Sequence, residues 1–203
     1  MKTTLTTLFA ISSLAGTLLA APQTFDFKDP KGVNNAVFKL DAPLESINGS
    51  GNGVSGSVTF DAANPGATHG TIIVDAASLN VPNSMMKQHL QGEMWLNVAK
   101  FPTITFEAKE LKNVKTAAGT TTADATGSFT LHGVTKEITV PVKLTYLADK
   151  LGQRVPNMKG DLLVIRTSFK IKRSDYNINK GQGEDKVSDE IDLTLSIAGA
   201  SPK

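Results

Sequence analysis

The chain of 203 residues contains no cysteine, and neither sign of charge is in clear excess. The absence of thiols excludes a disulfide framework, a thiolate-bound metal site and a cysteine nucleophile. The histidines His69, His89 and His132 are far apart in sequence, so a zinc site would require the fold to bring them together. The 21 basic and 19 acidic residues give a formal charge of +2, which does not favour nucleic acid or an anionic membrane as a partner.

Long hydrophobic runs are also missing, except at the N-terminus. Residues 1–20 combine Lys2 with a short apolar run that ends in small residues at Ala20 and Ala21. This pattern is typical of a Sec-type bacterial signal peptide cleaved after Ala20, because the run is too short and too interrupted for a good membrane span. We therefore expect a periplasmic or secreted protein without stable membrane insertion, in which residues 21–203 form one domain.

Sequence motifs of common enzymes are not found. The chain has no Gly-Lys-Ser/Thr phosphate loop, no Gly-x-Ser-x-Gly nucleophile elbow and no His-Glu-x-x-His metal motif. The sequence therefore predicts no catalytic residue, no metal ligand and no cofactor.

Alternation of apolar and polar residues with a period of two dominates the rest of the chain. It predicts eight strands, at 36–40, 57–61, 72–74, 103–107, 128–132, 137–146, 168–172 and 191–197. Turn signals separate most of them, including the Asn/Gly/Ser run 48–53 and the pair His132-Gly133. Eight strands indicate an all-β protein, either a sandwich or a closed barrel. A barrel of eight strands can pack its own side chains or hold one slender ligand.

One segment, 83–98, has helical spacing instead. Its apolar side chains recur at four-residue steps, at Met86, Leu90, Met94 and Val98. Trp95 lies beside them, and Asn83 or Ser84 could cap the start of a helix. Gly92 weakens the pattern, so one helix and two short helical turns are both left open.

Four short motifs follow one another in a fixed order. They lie at 54–61 with 72–79, at 89–106, at 127–138 and at 171–176. The second ends in a lysine, an aromatic residue, Pro, a short link and Phe, and the third contains Gly-Ser-Phe-Thr-Leu-His-Gly-Val-Thr. The fourth ends in Arg-Ser-Asp-Tyr. In this order they resemble the motifs of the YceI family, which cover most of residues 25–198.

The resemblance implies an extended, lipocalin-like, eight-stranded antiparallel barrel. Relatives are periplasmic or secreted proteins that hold a polyisoprenoid chain, such as a prenyl phosphate or an isoprenoid quinone, and no catalytic machinery is attributed to the fold. Some relatives of the fold pair up, which leaves a homodimer open. The chain departs from the family at 31–38, at 46–56 and at Lys172, where an Asn commonly precedes the Arg.

An exported barrel that binds a lipid would use the inward residues of its strands. The candidate contacts with an apolar tail are Phe38, Phe60, Phe106, Phe129, Leu131, Leu144, Phe169 and Ile171, with Met86, Leu90, Met94 and Trp95 closing the mouth. Arg166 interrupts the apolar run 162–165, so it either snorkels at a strand edge or faces a polar or anionic guest inside the barrel. We expect Arg166 to bind the head group of the lipid, with Arg173 as the second candidate.

Two other functions compete with lipid carriage or sequestration. The first is an enzyme of the barrel class that acts on a small amphipathic substrate through His132 or His89 with Asp175. The second is a structural or interaction module whose barrel is filled by its own side chains and holds no ligand.

Overall fold

The computed structural model describes residues 21–203, and the predicted signal peptide lies outside these residues. The two α-helices of this part of the chain are α1 (Ser84–Gln91) and α2 (Leu151–Arg154). Short 3-10 helices cover Pro65–Ala67, Ala76–Ser78 and Arg173–Tyr176. The strands are β1 (Gln23–Asp26), β2 (Asn35–Asp41), β3 (Ser46–Gly51), β4 (Val54–Phe60), β5 (His69–Asp75), β6 (Thr103–Ala117), β7 (Thr120–Leu131), β8 (Val134–Leu147), β9 (Gly160–Lys172) and β10 (Glu190–Pro202).

These ten strands occupy eight positions around a closed barrel. From β4 to β10, each strand pairs antiparallel with the next one in the chain. Both β1 and β2 pair with β10, at different points along its length, so they lie end to end in one position. In the same way β3 pairs with β2 and β4 pairs with β1, so β3 and β4 share the next position. The prediction of an eight-stranded antiparallel barrel is confirmed.

The eight predicted strands fall on β2 and on β4 to β10, and none extends more than one residue beyond the observed strand. The observed β6, β7, β9 and β10 are longer than predicted by between six and ten residues. His132 and Gly133 form the predicted tight turn between β7 and β8, with positive φ angles of 52° and 73°. The turn predicted at 48–53 is wrong for its first four residues, because Ser46–Gly51 form β3.

The glycines of β3 explain that error. A Cβ atom added to Gly49 would lie 2.1 Å from the Phe38 ring, and one added to Gly51 would lie 2.7 Å from the Leu79 side chain. Glycine is therefore required here because large neighbours occupy the space above the strand, and not because the chain turns.

Closure of the barrel involves a side chain, that of Asn34. Between β1 and β2 the backbone leaves the ladder along β10, and Asn34 lies at the end of this excursion with 1% of its surface exposed. Its Nδ2 donates to the carbonyl oxygens of Phe27, at 2.9 Å, and of Ala198, at 3.1 Å. Its Oδ1 accepts from the Ala198 N–H at 2.9 Å. The amide of Asn34 thus takes the place of a peptide group beside β10.

Two charged residues hold Asn34 in place. The carboxylate of Asp29 accepts from the backbone N–H groups of Lys31, Val33 and Asn34, at 3.1, 2.8 and 2.8 Å. Arg154, at the end of α2, donates from Nη2 to Asp29 at 2.9 Å and to Oδ1 of Asn34 at 3.0 Å. Burial of Asp29 favours its protonated form, but these hydrogen bonds and Arg154 outweigh burial and lower the pKa of Asp29.

One half of the barrel is filled by aromatic packing. The Tyr146 ring lies between Phe25 and Phe60, with ring centroids 6.2 and 6.0 Å away. Its hydroxyl donates to the fully buried Asp161 at 2.8 Å, and Lys203 Nζ lies 2.9 Å from the same carboxylate. Burial opposes ionisation of Asp161, but its hydrogen bonds prevail and lower its pKa to about 2. The carboxylate therefore remains charged in this half at neutral pH.

The ladder between β8 and β9 is incomplete and leaves a seam in the wall of the barrel. Their pairing runs from Leu147↔Leu162 only as far as Val142↔Thr167, although β8 begins at Val134 and β9 continues to Lys172. The next residue of β8 is Pro141, whose carbonyl accepts from the Thr167 hydroxyl at 2.7 Å. The backbone nitrogen and carbonyl of Pro141 therefore face β9. Because proline has no N–H, it cannot donate a ladder hydrogen bond to that strand. Beyond this point the two strands are not joined by ladder hydrogen bonds.

We predict that Asn34→Ala lowers the free energy of unfolding by about 3 kcal/mol, because polar groups of Phe27 and Ala198 lose buried partners. Urea unfolding followed by circular dichroism would measure the change. Asn35→Ala is the matched control, since the Asn35 amide donates only to the Val33 carbonyl at an exposed position, and its effect should stay within about 0.5 kcal/mol. Equal stabilities of the two variants would contradict the role given to Asn34.

Candidate functional site

An apolar cavity of about 320 Å³ occupies the other half of the barrel. This volume is near the lower end of the range of about 300–1,000 Å³ found for small-molecule sites. Among the predicted ligand contacts, those that line the cavity are Phe38, Met86, Leu90, Trp95, Phe106, Phe129, Leu131, Phe169, Ile171 and Arg173.

Strand register brings these side chains onto one inner surface. Phe169 of β9 lies opposite Leu193 of β10, which in turn lies opposite Phe38 of β2. Phe106 of β6 lies opposite Phe129 of β7 in the same manner. Since side chains two residues apart point to the same face, the alternation read from the sequence becomes a continuous apolar wall.

Helix α1 and the turn after it cover the cavity. Asn83 caps the helix, because its Oδ1 accepts from the Met86 N–H at 3.0 Å. Met86 and Leu90 face the cavity from the helix, and Trp95 lines it from the following turn. The expectation that Met94 closes the mouth is corrected, because the helix ends at Gln91 and Met94 is 69% exposed.

Two further predicted contacts point inward but lie outside the cavity. Phe60 and Leu144 are 4% and 3% exposed and belong to the filled half of the barrel, where Phe60 packs against Tyr146. Alternation correctly placed them inside, but it carries no information about which half of a barrel is hollow.

The structure corrects the expectation that Arg166 faces a guest in the cavity. Ile165 and Thr167 point into the barrel, so the side chain between them points outward, where it is exposed and lines a groove on the outer surface. The apolar run 162–165 hides the alternation in the sequence, and the direction of Arg166 could not be read from it.

Arg173 lines the cavity, but its charge is used within the protein. Its guanidinium directs five N–H groups at backbone carbonyls, those of Ile178, Asn179, Gln182, Val187 and Ser188. The side chain is fully buried, and its Cζ lies 5.7 Å from the centre of the Trp95 ring. Arg173 therefore fixes the segment 178–188 over the end of the barrel, and none of its N–H groups is left over for a head group.

Several lining residues were not among the predicted contacts. Ile191, Leu193 and Leu195 of β10 line the cavity, and their alternation was visible in the sequence. Ile47 also lines it, but it lies on β3, which the glycine-rich sequence concealed.

The three side chains of the competing enzyme hypothesis each have different neighbours. His132 Nδ1 lies 3.0 Å from the Tyr176 carbonyl oxygen, and its ring packs on Phe101 at 4.6 Å. Asp175 pairs with Lys136 at 2.7 Å. His89 lies exposed at the rim of the cavity.

Neither a metal cluster nor a membrane-spanning helix is found in the part of the chain that the structure describes. Within residues 21–203, no three His, Asp or Glu residues are grouped so that they could hold a metal ion. No helix in the same range is both long and apolar enough to cross a bilayer.

Known proteins share both sequence and fold with this chain. The YceI-like domain family model matches residues 29–198. A UPF0312 protein of Yersinia pestis is 36% identical over 155 residues, which are 76% of this chain and 74% of the relative. A UPF0312 protein of Enterobacter is 35% identical over 148 residues, or 73% and 70% of the two chains.

Two solved structures show the same fold. A YceI protein of Campylobacter jejuni is 24% identical, with a TM-score of 0.63 over 76% of this chain and 85% of its own. A domain from Saccharophagus degradans, described as polyisoprenoid binding and implicated in plant cell wall breakdown, is 12% identical, with a TM-score of 0.64 over 90% and 100% of the two chains.

We predict that Arg173→Lys lowers the free energy of unfolding by about 2 to 4 kcal/mol, because an ammonium group has three donors in place of five and leaves buried carbonyls unpaired. Arg166→Lys is the matched control at an exposed position and should change stability by less than about 0.5 kcal/mol. Urea unfolding measures both. Similar stabilities would show that the carbonyl contacts of Arg173 do not hold the segment.

Proposed function

The chain belongs to the YceI-like family, and from this premise we propose that it binds a polyisoprenoid lipid, of the prenyl phosphate or isoprenoid quinone type, for carriage or sequestration. The observation that carries the proposal is the apolar cavity at one end of the barrel. The polyisoprenoid-binding description of the structural neighbour from Saccharophagus degradans supports the same class of ligand.

The chemistry of the cavity wall matches a hydrocarbon chain. Aromatic, branched and thioether side chains from α1 and from opposite strands surround the space. Burial of apolar surface contributes about 25 cal/mol per Å², so a long chain gains affinity with each unit enclosed. A wall built mainly of such groups gives a polar ligand few partners, and this favours an isoprenoid tail over a polar metabolite.

The two competing functions have less support. A barrel filled by its own side chains would leave no cavity, whereas the packing of Phe25, Phe60 and Tyr146 fills only one half. An enzyme acting through His132 would need that side chain to face the bound substrate, but His132 does not line the cavity, and its suggested partner Asp175 pairs with Lys136.

Export belongs to the same proposal. The pattern of residues 1–20 supports cleavage after Ala20 and a periplasmic or secreted location. Intact-mass measurement of the protein recovered from its bacterial host should give a mature chain that begins at Ala21. Recovery of a chain that still begins at Met1 from the cytoplasm would contradict export.

The binding proposal is tested by a matched pair of substitutions on β5. Ile72 lines the cavity and its neighbour Ile73 does not, since the two side chains point to opposite faces of the strand. Ile72→Trp should weaken binding of geranylgeraniol at least about tenfold by filling the cavity. Ile73→Trp should bind like the wild type.

Native mass spectrometry with added geranylgeraniol would measure the bound fraction, and circular dichroism would show that both variants are folded. Wild-type binding by the Ile72→Trp variant would place the ligand outside the cavity. Failure of the wild type to bind any isoprenoid would refute the proposed function.

A further inference from the structure

A row of basic residues crosses the outer surface of the barrel. Strand register aligns Lys115 of β6 with Thr122 of β7, Thr122 with Lys143 of β8, and Lys143 with Arg166 of β9. All three basic side chains are exposed and line one groove. Lys115 and Lys143 are two strands apart, or about 10 Å at the usual strand spacing.

The charges in this groove are not balanced. Among residues 21–203, no carboxylate oxygen lies within 4 Å of the charged groups of Lys115, Lys143 or Arg166. The one acidic residue of the groove lining, Asp124, accepts from the Asn113 amide at 2.6 Å. Lys143 and Arg166 are directly opposite each other, an arrangement that destabilises a strand pair unless an anion lies between the two charges.

The groove lies where the hydrogen-bonded ladder between β8 and β9 ends. Lys143↔Arg166 is the pair next to Val142↔Thr167, the last pair of the β8–β9 ladder. Thr167, Thr194 and Leu195 line both the groove and the cavity, so the two spaces share one part of the wall.

Beyond the last pair of the ladder, apolar side chains of β8 and β9 form the wall without ladder hydrogen bonds between the two strands. Val140 of β8 and Phe169 of β9 follow the last pair, and both line the cavity. The end of the barrel is covered instead by α1 and by the segment that Arg173 holds through its carbonyl contacts. The seam can therefore part without the loss of ladder hydrogen bonds, whereas the cover over the end of the barrel cannot move without breaking several.

We propose that the groove of Lys115, Lys143 and Arg166 binds the phosphate-type head of an amphipathic guest whose chain enters the cavity through the seam between β8 and β9. This inference rests on the proposed function and narrows it, because an anionic head is favoured over a neutral quinone. A guanidinium and two ammonium groups supply charge-assisted hydrogen bonds to phosphate oxygens, and the hydroxyls of Thr122 and Ser196 lie in the same row.

The test compares three probes by isothermal titration calorimetry at low salt: geranylgeranyl diphosphate, geranylgeraniol and inorganic pyrophosphate. The double variant Lys143→Gln/Arg166→Gln should bind geranylgeranyl diphosphate at least about tenfold more weakly than the wild type. It should bind geranylgeraniol equally well, because the cavity is unchanged. Lys28→Gln/Lys159→Gln removes the same charge outside the groove and should leave both affinities unchanged.

The outcomes separate the head-group site from the binding function. If the double variant binds the diphosphate as tightly as the wild type, the groove does not hold the head group and the inference is overturned, while retained geranylgeraniol binding leaves the proposed function intact. If the wild type binds neither isoprenoid, the proposed function fails first. If inorganic pyrophosphate binds the wild type as tightly as the diphosphate does, the groove takes a free anion and the head-group assignment is also overturned.

Discussion

Where the barrel closes against β10, the amide side chain of Asn34 completes the hydrogen bonding of the wall. The chain leaves the β10 ladder between β1 and β2, and without a substitute the Ala198 N–H and carbonyl would lose partners inside the protein. A side-chain amide has the same donor and acceptor as a peptide group, so it can continue the ladder where the backbone cannot. Asp29 and Arg154 hold that amide in place. Both the packed half and the cavity lie inside the wall that is closed in this way.

The two halves of the barrel differ, since one is packed and the other is hollow. In one half Phe25, Phe60 and Tyr146 fill the interior, and the Asp161 carboxylate joins Tyr146 to Lys203. This half provides the packed core that a chain without disulfides needs for stability. The other half can then remain hollow, with its walls held in position before a ligand arrives. Such preorganisation reduces the entropy that binding would otherwise cost.

Much of this architecture could be predicted from the sequence, because alternation with a period of two is a local property. It located eight strands and placed Phe38, Phe129 and Phe169 on the inner face. It could not identify the hollow half, since Phe60 and Phe106 alternate in the same way and only long-range packing distinguishes them. It also could not separate the roles of two arginines, because the partners of Arg173 lie on a loop whose path depends on the whole fold.

The seam between β8 and β9 has a consequence for association between molecules. A closed barrel normally presents no strand edges, but here two edges carry backbone groups that a strand of another chain could pair with. Charged side chains lie along both edges, with Lys136 and Glu137 on β8 and Lys170 and Lys172 on β9. A strand that added itself to either edge would have to approach these charges, which is a common protection against edge-to-edge aggregation. Pro141 thus ends the ladder and leaves the seam unpaired, while the charged side chains along it oppose the use of its edges as a template for β-sheet growth.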